Sequence, residues 1–369
     1  MKEKVLIAMS GGVDSSVAAY LMQQRGYDCI GATMKLISET ISENHFSESY
    51  SSKTCCSLED VEDARSVAAR LKIPYYVFNF TEDFRSKVID RFIDSYEQGL
   101  TPNPCLDCNR YLKFEKLFQR AMELGCKYVV TGHYARISYE NGRYLLKKGV
   151  DSNKDQSYVL YSMTQEQLAH TCFPLGTMEK KQIRSIAAEN GFVNADKSDS
   201  QDICFVPDGD YVRFMESYTG KSYPPGDFID DNGNVLGQHK GAVRYTIGQR
   251  KGLGIAFGTP LYVRDKNIEK NTVTLVTDEN LYASELVADE LNWISFDRLT
   301  EPMRLHAKIR YRHKEQPANV IPCGDGTVQV VFDEPQRAIT PGQAVVFYDG
   351  DVVAGGGRIR CTTSGPHEW

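Results

Sequence analysis

Two short strings in this 369-residue chain carry residue types that do chemistry. The first is Ser10-Gly11-Gly12-Val13-Asp14-Ser15-Ser16, which follows a short apolar run and opens into a helical pattern. Glycines there let backbone N–H groups approach an anion, serine hydroxyls add donors, and a helix N-terminus contributes partial positive charge. A phosphate group suits such a turn. The Lys of a Walker A loop is absent from it. The second string is Pro104-Cys105-Leu106-Asp107-Cys108, whose C-x-x-C spacing serves either a redox dithiol or part of a metal site. Two basic stretches add a third chemistry. Residues 240–251 hold Lys240, Arg244, Arg250 and Lys251 without an acid, and residues 304–314 hold five Lys/Arg with His306, Tyr311 and His313. Basic residues interleaved with aromatics fit phosphate contact and base stacking.

The elements that must position these residues fall into two styles. Residues 4–9, 29–36, 75–80 and 128–131 read as strands, and 14–25, 58–71, 82–98 and 111–124 as helices by apolar spacing. That alternation predicts βαβ units and a parallel, doubly wound sheet. Residues 38–53, nearly all polar, and 99–109 read as surface loops. Beyond about residue 206, turn signals at Asn232-Gly233, Gly324-Asp325-Gly326 and Asp349-Gly350 separate strand-like stretches at 241–247, 261–263, 327–332 and 344–348. This predicts a small β-rich domain over 213–282 and an antiparallel β-barrel over 283–369, behind an α/β domain over 1–212.

Composition bounds the function. With 41% apolar and 25% charged residues the chain is an ordinary folded protein of two or three domains. Its 43 Lys+Arg against 49 Asp+Glu give a charge of −6, so nucleic-acid binding has to come from local patches. No run approaches the roughly 18 apolar residues of a membrane span. The apolar run 5–9 is shorter than the ~7–15 residues of a signal-peptide core. The ten cysteines therefore read as cytoplasmic thiols.

The glycine-rich string resembles the PP-loop of ATP pyrophosphatases, which adenylate a carbonyl oxygen and release pyrophosphate. Further strings narrow the resemblance: Cys55-Cys56-Ser57, Thr101-Pro102-Asn103-Pro104, Cys108-Asn109 with Lys113-Phe114, Thr131-Gly132-His133-Tyr134-Ala135-Arg136, Lys154-Asp155-Gln156-Ser157-Tyr158, Asp202-Ile203-Cys204-Phe205, residues 245–254, and Thr340-Pro341-Gly342-Gln343. Together, and in this order, they resemble the tRNA-specific 2-thiouridylase family. The resemblance implies O2-to-S2 exchange at the wobble uridine, position 34, of tRNA. It implies that Ala8, Met9, Ser10, Gly11, Gly12, Val13, Asp14, Ser15, Met34 and Gly132 hold ATP, with Mg²⁺ accompanying it and Asp14 a ligand through water. It implies that Asn103, Pro104 and Cys105 border the target base and that His133, Lys154, Asp155, Gln156, Arg310, Tyr311 and Gln343 touch tRNA.

The family also implies a persulfide on Cys204 and a partner thiol at Cys108, joined as a disulfide when product leaves. Sulfur would come from a cysteine desulfurase, a sulfur-relay protein or free sulfide. Here the chain departs from the commoner Pro-Asp-x-x-Cys pattern, because Cys105 stands where an Asp proposed as general base is usual. That change makes three cysteines of Cys105, Cys108 and Cys204, a ligand set that suits a [4Fe–4S] cluster with one open corner. Zinc would need a fourth ligand. Persulfide relay and cluster-bound sulfide both remain open at this point. So do two other functions: another PP-loop enzyme, such as a tRNA cytidine thiolase or an amidating synthetase, and a catalytically silent RNA-binding homologue. Cys29, Cys126, Cys172, Cys323 and Cys361 read as small buried hydrophobes, and Cys55 and Cys56 as loop or packing residues.

Overall fold

The structure is a computed structural model that describes residues 2–37, 58–198, 203–255 and 258–362. Its contacts resolve into two compact units, one of residues 1–89, 104–210 and 351–353, the other of 90–103, 211–350 and 354–369. Among the described residues no helix is long and apolar enough to cross a membrane.

The first unit is built on a five-stranded parallel sheet of β1 (Lys4–Ala8), β2 (Asp28–Lys35), β3 (Tyr75–Asn79), β4 (Tyr128–Val130) and β7 (Thr171–Cys172). Strand order is β3-β2-β1-β4-β7. The reversal of direction falls between β1 and β4, and in such sheets the crevice outside the strands' carboxyl ends at that point is where ligands bind. Val5, Leu6 and Ile7 are wholly buried, as expected of a strand covered on both faces. Helices α1 (Val13–Gln24) and α2 (Leu58–Leu71) cover the sheet, contributing Val17, Ala18, Met22, Ala64, Val67 and Ala68 to the core. The helix over 58–71 matches its expected bounds. A hairpin, β5 (Ala135–Glu140) with β6 (Arg143–Lys148), lies where no strands were expected.

Residues 99–109 are only partly the loop that was expected. Helix begins at Pro104 and runs through Pro104–Asp107, a π-helical Cys108–Lys116 and Leu117–Glu123. Proline is well placed at the start of a helix, where its missing N–H would have had no partner. Cys105 and Cys108 are thereby three residues apart on one helical run rather than on a flexible loop. The expected polar loop 38–53, with Cys55 and Cys56, lies outside the described residues.

The second unit contains two β structures. Strands β8 (Gly226–Ile229), β9 (Val235–His239), β10 (Tyr262–Asn267) and β11 (Thr272–Val276) form a four-stranded sheet around Phe228, Tyr245, Val263 and Val273. The stretch 241–247, expected as a strand, contains a 3-10 turn at Ala242–Arg244 instead. Strands β12 (Tyr282–Trp293), β13 (Met303–Lys308), β14 (Gln316–Pro322), β15 (Val328–Arg337), β16 (Ala344–Asp349) and β17 (Val352–Thr362) follow in the order β12-β15-β14-β13-β16-β17, and pairing of β12 with β17 closes them into an antiparallel barrel. The barrel core is Leu286, Leu305, Val320, Val330, Val345 and Phe347.

The segment 90–103 belongs to this second unit although it lies in sequence within the α/β domain. Its helix, Asp90–Glu97, presents Phe92 and Tyr96 to Tyr211, with the Tyr96 and Tyr211 rings stacked at 4.5 Å. Asp90 accepts from Tyr218, and Glu97 accepts from Lys221 and Tyr223.

Candidate active site

The turn after β1 is shaped by close backbone approach. Gly11 has φ +76°, and a Cβ there would lie 2.4 Å from the carbonyl oxygen of Asp60 in α2. Gly132, just beyond β4, passes so near that a Cβ would sit 2.9 Å from the Asp14 carbonyl carbon and the Ser15 nitrogen. Both positions require glycine. Gly12 caps α1 without a side-chain hydrogen bond, which leaves the first-turn N–H groups for a ligand. Ser15 and Ser16 hydroxyls donate inward to the Gly12 carbonyl at 3.0 and 3.1 Å, so in this state they brace the turn. Met34, at the end of β2, is buried, and Thr33 beside it donates to the Met9 carbonyl. Ala8, Met9, Ser10–Ser16, Met34 and Gly132 therefore meet at the carboxyl ends of β1, β2 and β4.

Several residues of this site carry no local sequence signal. Lys180, the first residue of helix Lys180–Glu189, places its Nζ 2.7 and 2.8 Å from the two Asp14 carboxylate oxygens, and the Tyr134 hydroxyl donates to Asp14 at 2.7 Å. A lysine distant in sequence thus supplies a cation beside the loop that lacks its own. Asn194, 2% exposed, donates through Nδ2 to the Gly11 carbonyl at 2.8 Å and to Ser16 Oγ at 2.9 Å. Its amide orientation is fixed by chemistry: Gly11 O only accepts, and the Ser16 hydrogen is already given to Gly12. Lys197 bridges Asp60 and Asp63 at 2.8 and 2.6 Å, tying the same segment to α2.

The metal expectations meet this geometry differently. With Asp14 occupied by Lys180, a magnesium ion bound through that carboxylate would have to displace the ammonium group. Among the described residues, no three His, Cys, Asp or Glu side chains gather as a metal site. Cys105, Cys108 and Cys204 are all among the described residues. Cys105 is exposed, and Cys108 and Cys204 are half-buried. Cys204 is anchored by the next residue, Phe205, which is fully buried with its ring 5.8 Å from that of Phe84. Burial pushes the Cys29 and Cys172 thiols up to about 11, and raises Cys126 and Cys361 as well. Of the five cysteines expected as small buried hydrophobes, Cys29 and Cys126 are buried and Cys172, Cys323 and Cys361 are only half-buried; a raised thiol is a poor nucleophile.

The residues expected at tRNA are placed unevenly. In the first unit His133 is 6% exposed, its ring between Phe114 and Phe173 and its Nδ1 2.7 Å from Thr131 Oγ1. Burial, with Lys113 adding to it, holds this imidazole well below the usual histidine range, so the ring is neutral. It supports the Gly132 turn from within and offers no cation to a phosphate. Asp155 accepts from the Gly149 and Ser157 amides and the Ser157 hydroxyl, while Gln156 accepts from the Tyr134 amide and donates its own N–H to the Tyr134 carbonyl. Lys154 is half-buried in the same turn and Pro104 is buried. In the second unit Tyr311 is exposed with Lys308 above its ring, Asn103 is half-buried, and Arg310 and Gln343 bond to backbone. The basic stretches are partly neutralised: Arg244 pairs with Glu216 and Arg304 with Asp333.

Comparison with known proteins settles the family. The chain is 54% identical to a tRNA-specific 2-thiouridylase of Acetivibrio thermocellus over 97% of its own length and 99% of the relative's. A second, from Clostridioides difficile, is 54% identical over 98% and 99% of the two chains, and a third, from Clostridium acetobutylicum, 52% identical over 98% and 100%. The chain belongs to the tRNA-specific 2-thiouridylase family. Family models agree along the chain: one described as a tRNA methyl transferase HUP domain matches residues 3–208, a PRC-barrel domain of the same description matches 212–277, and an aminomethyltransferase β-barrel domain matches 283–359. Family membership accounts for the parallel sheet with its PP-loop and for the barrel that follows.

Proposed function

We propose that this chain is an ATP-dependent tRNA-uridine 2-sulfurtransferase, acting in the cytoplasm on the wobble uridine. The observation that carries this reading is the glycine-framed turn at the switch point of a parallel sheet, in a chain that also keeps Cys108 and Cys204. A ureide oxygen is a poor leaving group. Uridine O2 attacks the α-phosphate of ATP, pyrophosphate departs, and the adenylated oxygen then leaves as AMP. Backbone N–H groups of the Ser10–Ser16 turn hold the phosphates as charge moves onto pyrophosphate, and Lys180 supplies the cation beside them. Magnesium, if bound with the nucleotide, would offset phosphate charge beside Asp14 and Lys180.

For the sulfur step we favour the relay. A Cys204 persulfide, loaded by a cysteine desulfurase or sulfur-relay protein, attacks C2 through its terminal sulfur as AMP leaves. The Cys108 thiolate then attacks Cys204 Sγ, forming the Cys108–Cys204 disulfide and releasing 2-thiouridine, and a thiol reductant returns the two electrons. Methyl transfer, named in the family-model descriptions, has no use for an ATP turn or for these thiols. An amidating synthetase would not need the two cysteines.

The test combines two readouts on purified protein, tRNA and ATP: pyrophosphate release and 2-thiouridine formed. Asp14→Ala abolishes both, and full turnover in that variant removes the ATP assignment. Cys204→Ser keeps pyrophosphate release and loses thiolation. Cys105→Asp keeps thiolation with a persulfide donor under the relay; loss of iron, visible absorbance and sulfide-dependent activity in that variant would instead establish cluster-bound sulfide.

A further inference from the structure

Within the second unit, Thr101 has both backbone polar groups taken by one loop. Its N–H donates to the Pro341 carbonyl at 3.0 Å, and its carbonyl accepts from Gln343 Nε2 at 2.6 Å. Gly342, between those two residues, has φ +90°, and a Cβ there would stand 2.9 Å from the Thr101 nitrogen and 2.9 Å from Leu100 Cβ. The loop is itself braced. Gly342 N–H donates to the Ile359 carbonyl, Ile359 N–H donates to the Gln343 carbonyl, and Arg310 Nη2 donates to the Ala338 carbonyl and to Thr340 Oγ1. A series of contacts therefore runs from Arg310 through Thr340–Gln343 to Thr101, two residues before Asn103 and four before Cys105.

We infer that Gln343 is a positioning residue for the sulfur-transfer reaction: with Gly342 it clamps the strap 99–103 and so sets where Asn103 meets the target base. This rests on the proposed thiolation and assigns Gln343 a different task from tRNA contact. The chemistry supports the distinction. A primary amide that has committed a 2.6 Å hydrogen bond to a peptide carbonyl contributes no charge to phosphate binding, and counterion release depends on cations. Placement errors near an ångström at a reacting group cost about a hundredfold in rate.

The test separates affinity from turnover, using the full chain, an unmodified tRNA transcript, ATP and a persulfide donor. For Gln343→Ala we expect the thiolation rate at saturating tRNA to fall about 10- to 100-fold, with tRNA affinity and its salt dependence unchanged and the thermal unfolding midpoint close to that of the parent. Gly342→Ala, which pushes a methyl into the strap backbone, should give the same split. Weaker tRNA binding with an intact saturating rate would make Gln343 a nucleic-acid contact and overturn the inference. An unchanged rate in both variants would overturn it as well. If the parent protein itself thiolates no tRNA, the functional reading fails rather than the clamp.

Discussion

Two places in the molecule use the same device for different ends. In the first unit a side-chain amide, Asn194, holds the Gly11 carbonyl while Gly132 lets backbone press against backbone; in the second, Gln343 holds the Thr101 carbonyl while Gly342 does the same. Asn194 is 2% exposed and surrounded by a further ion network, whereas Gln343 is half-buried on a loop. The buried version fixes the turn that, in the proposed reaction, holds ATP. The half-open version holds a strap that, in the proposed reaction, leads to the target base. Preorganisation is thus strongest where charge must be stabilised, and looser where a large substrate has to be admitted.

The comparison breaks first at Gly132. Gly132→Ala should reduce tRNA-dependent pyrophosphate release by about a hundredfold or more, because the new methyl collides with Asp14 and Ser15 backbone at the phosphate turn. A variant near full rate would mean that the turn is not preorganised. Asn194→Ala should act less severely, raising KM for ATP by about tenfold through loss of a bond to a buried carbonyl, with a stability loss of about 1–3 kcal/mol. An unchanged KM would make Asn194 a packing residue only.

The second unit carries its own strain at Lys266, on β10. Its Nζ is buried with no hydrogen-bond partner, 5.7 Å from the Tyr96 ring centroid, and burial lowers the amine to about 8. Between about 8 and the ordinary lysine value the unfolded chain binds more protons, so this group makes stability rise with pH across that window. Below it the charge is carried in both states and the desolvation cost is met in full. Lys266→Met should therefore raise the unfolding midpoint by several degrees at pH 7, with the gain shrinking toward pH 10. A lower midpoint at pH 7 would show the cation–π contact to outweigh burial. The smallest effect concerns tRNA. Lys251→Ala, at an exposed position, should flatten the salt dependence of tRNA binding by about one unit of slope at most, while Arg244→Ala, already paired with Glu216, should leave it unchanged.

The parallel sheet, its nucleotide turn and the barrel were legible because each rests on local periodicity or a contiguous string. The helix start at Pro104 was not legible, because the two prolines and two cysteines in 99–109 read as loop. Lys180 and Asn194 left no trace near residue 14, since nothing local joins positions so far apart. The basic stretches misled in part because the acids that neutralise them, Glu216 and Asp333, lie elsewhere in the sequence. The aromatic rings around His133, which its string associates with tRNA, left no trace in that string. The segment 90–103 has the same amphipathic pattern whichever unit it packs on, so its allegiance could not be read from spacing.

That allegiance matters during synthesis. Thr101 and Ser95 leave the ribosome long before their partners Gln343 and Arg358, which lie 242 and 263 residues further along the chain. At about 5–20 residues per second, Thr101 and Ser95 wait roughly 12–50 s for these two partners. The Gly11 turn has its brace once Asn194 is made, whereas the strap has none until Gln343 and Arg358 have followed. A product truncated before Gln343 would keep the Asn194 brace on the Gly11 carbonyl and lack the brace on the Thr101 carbonyl.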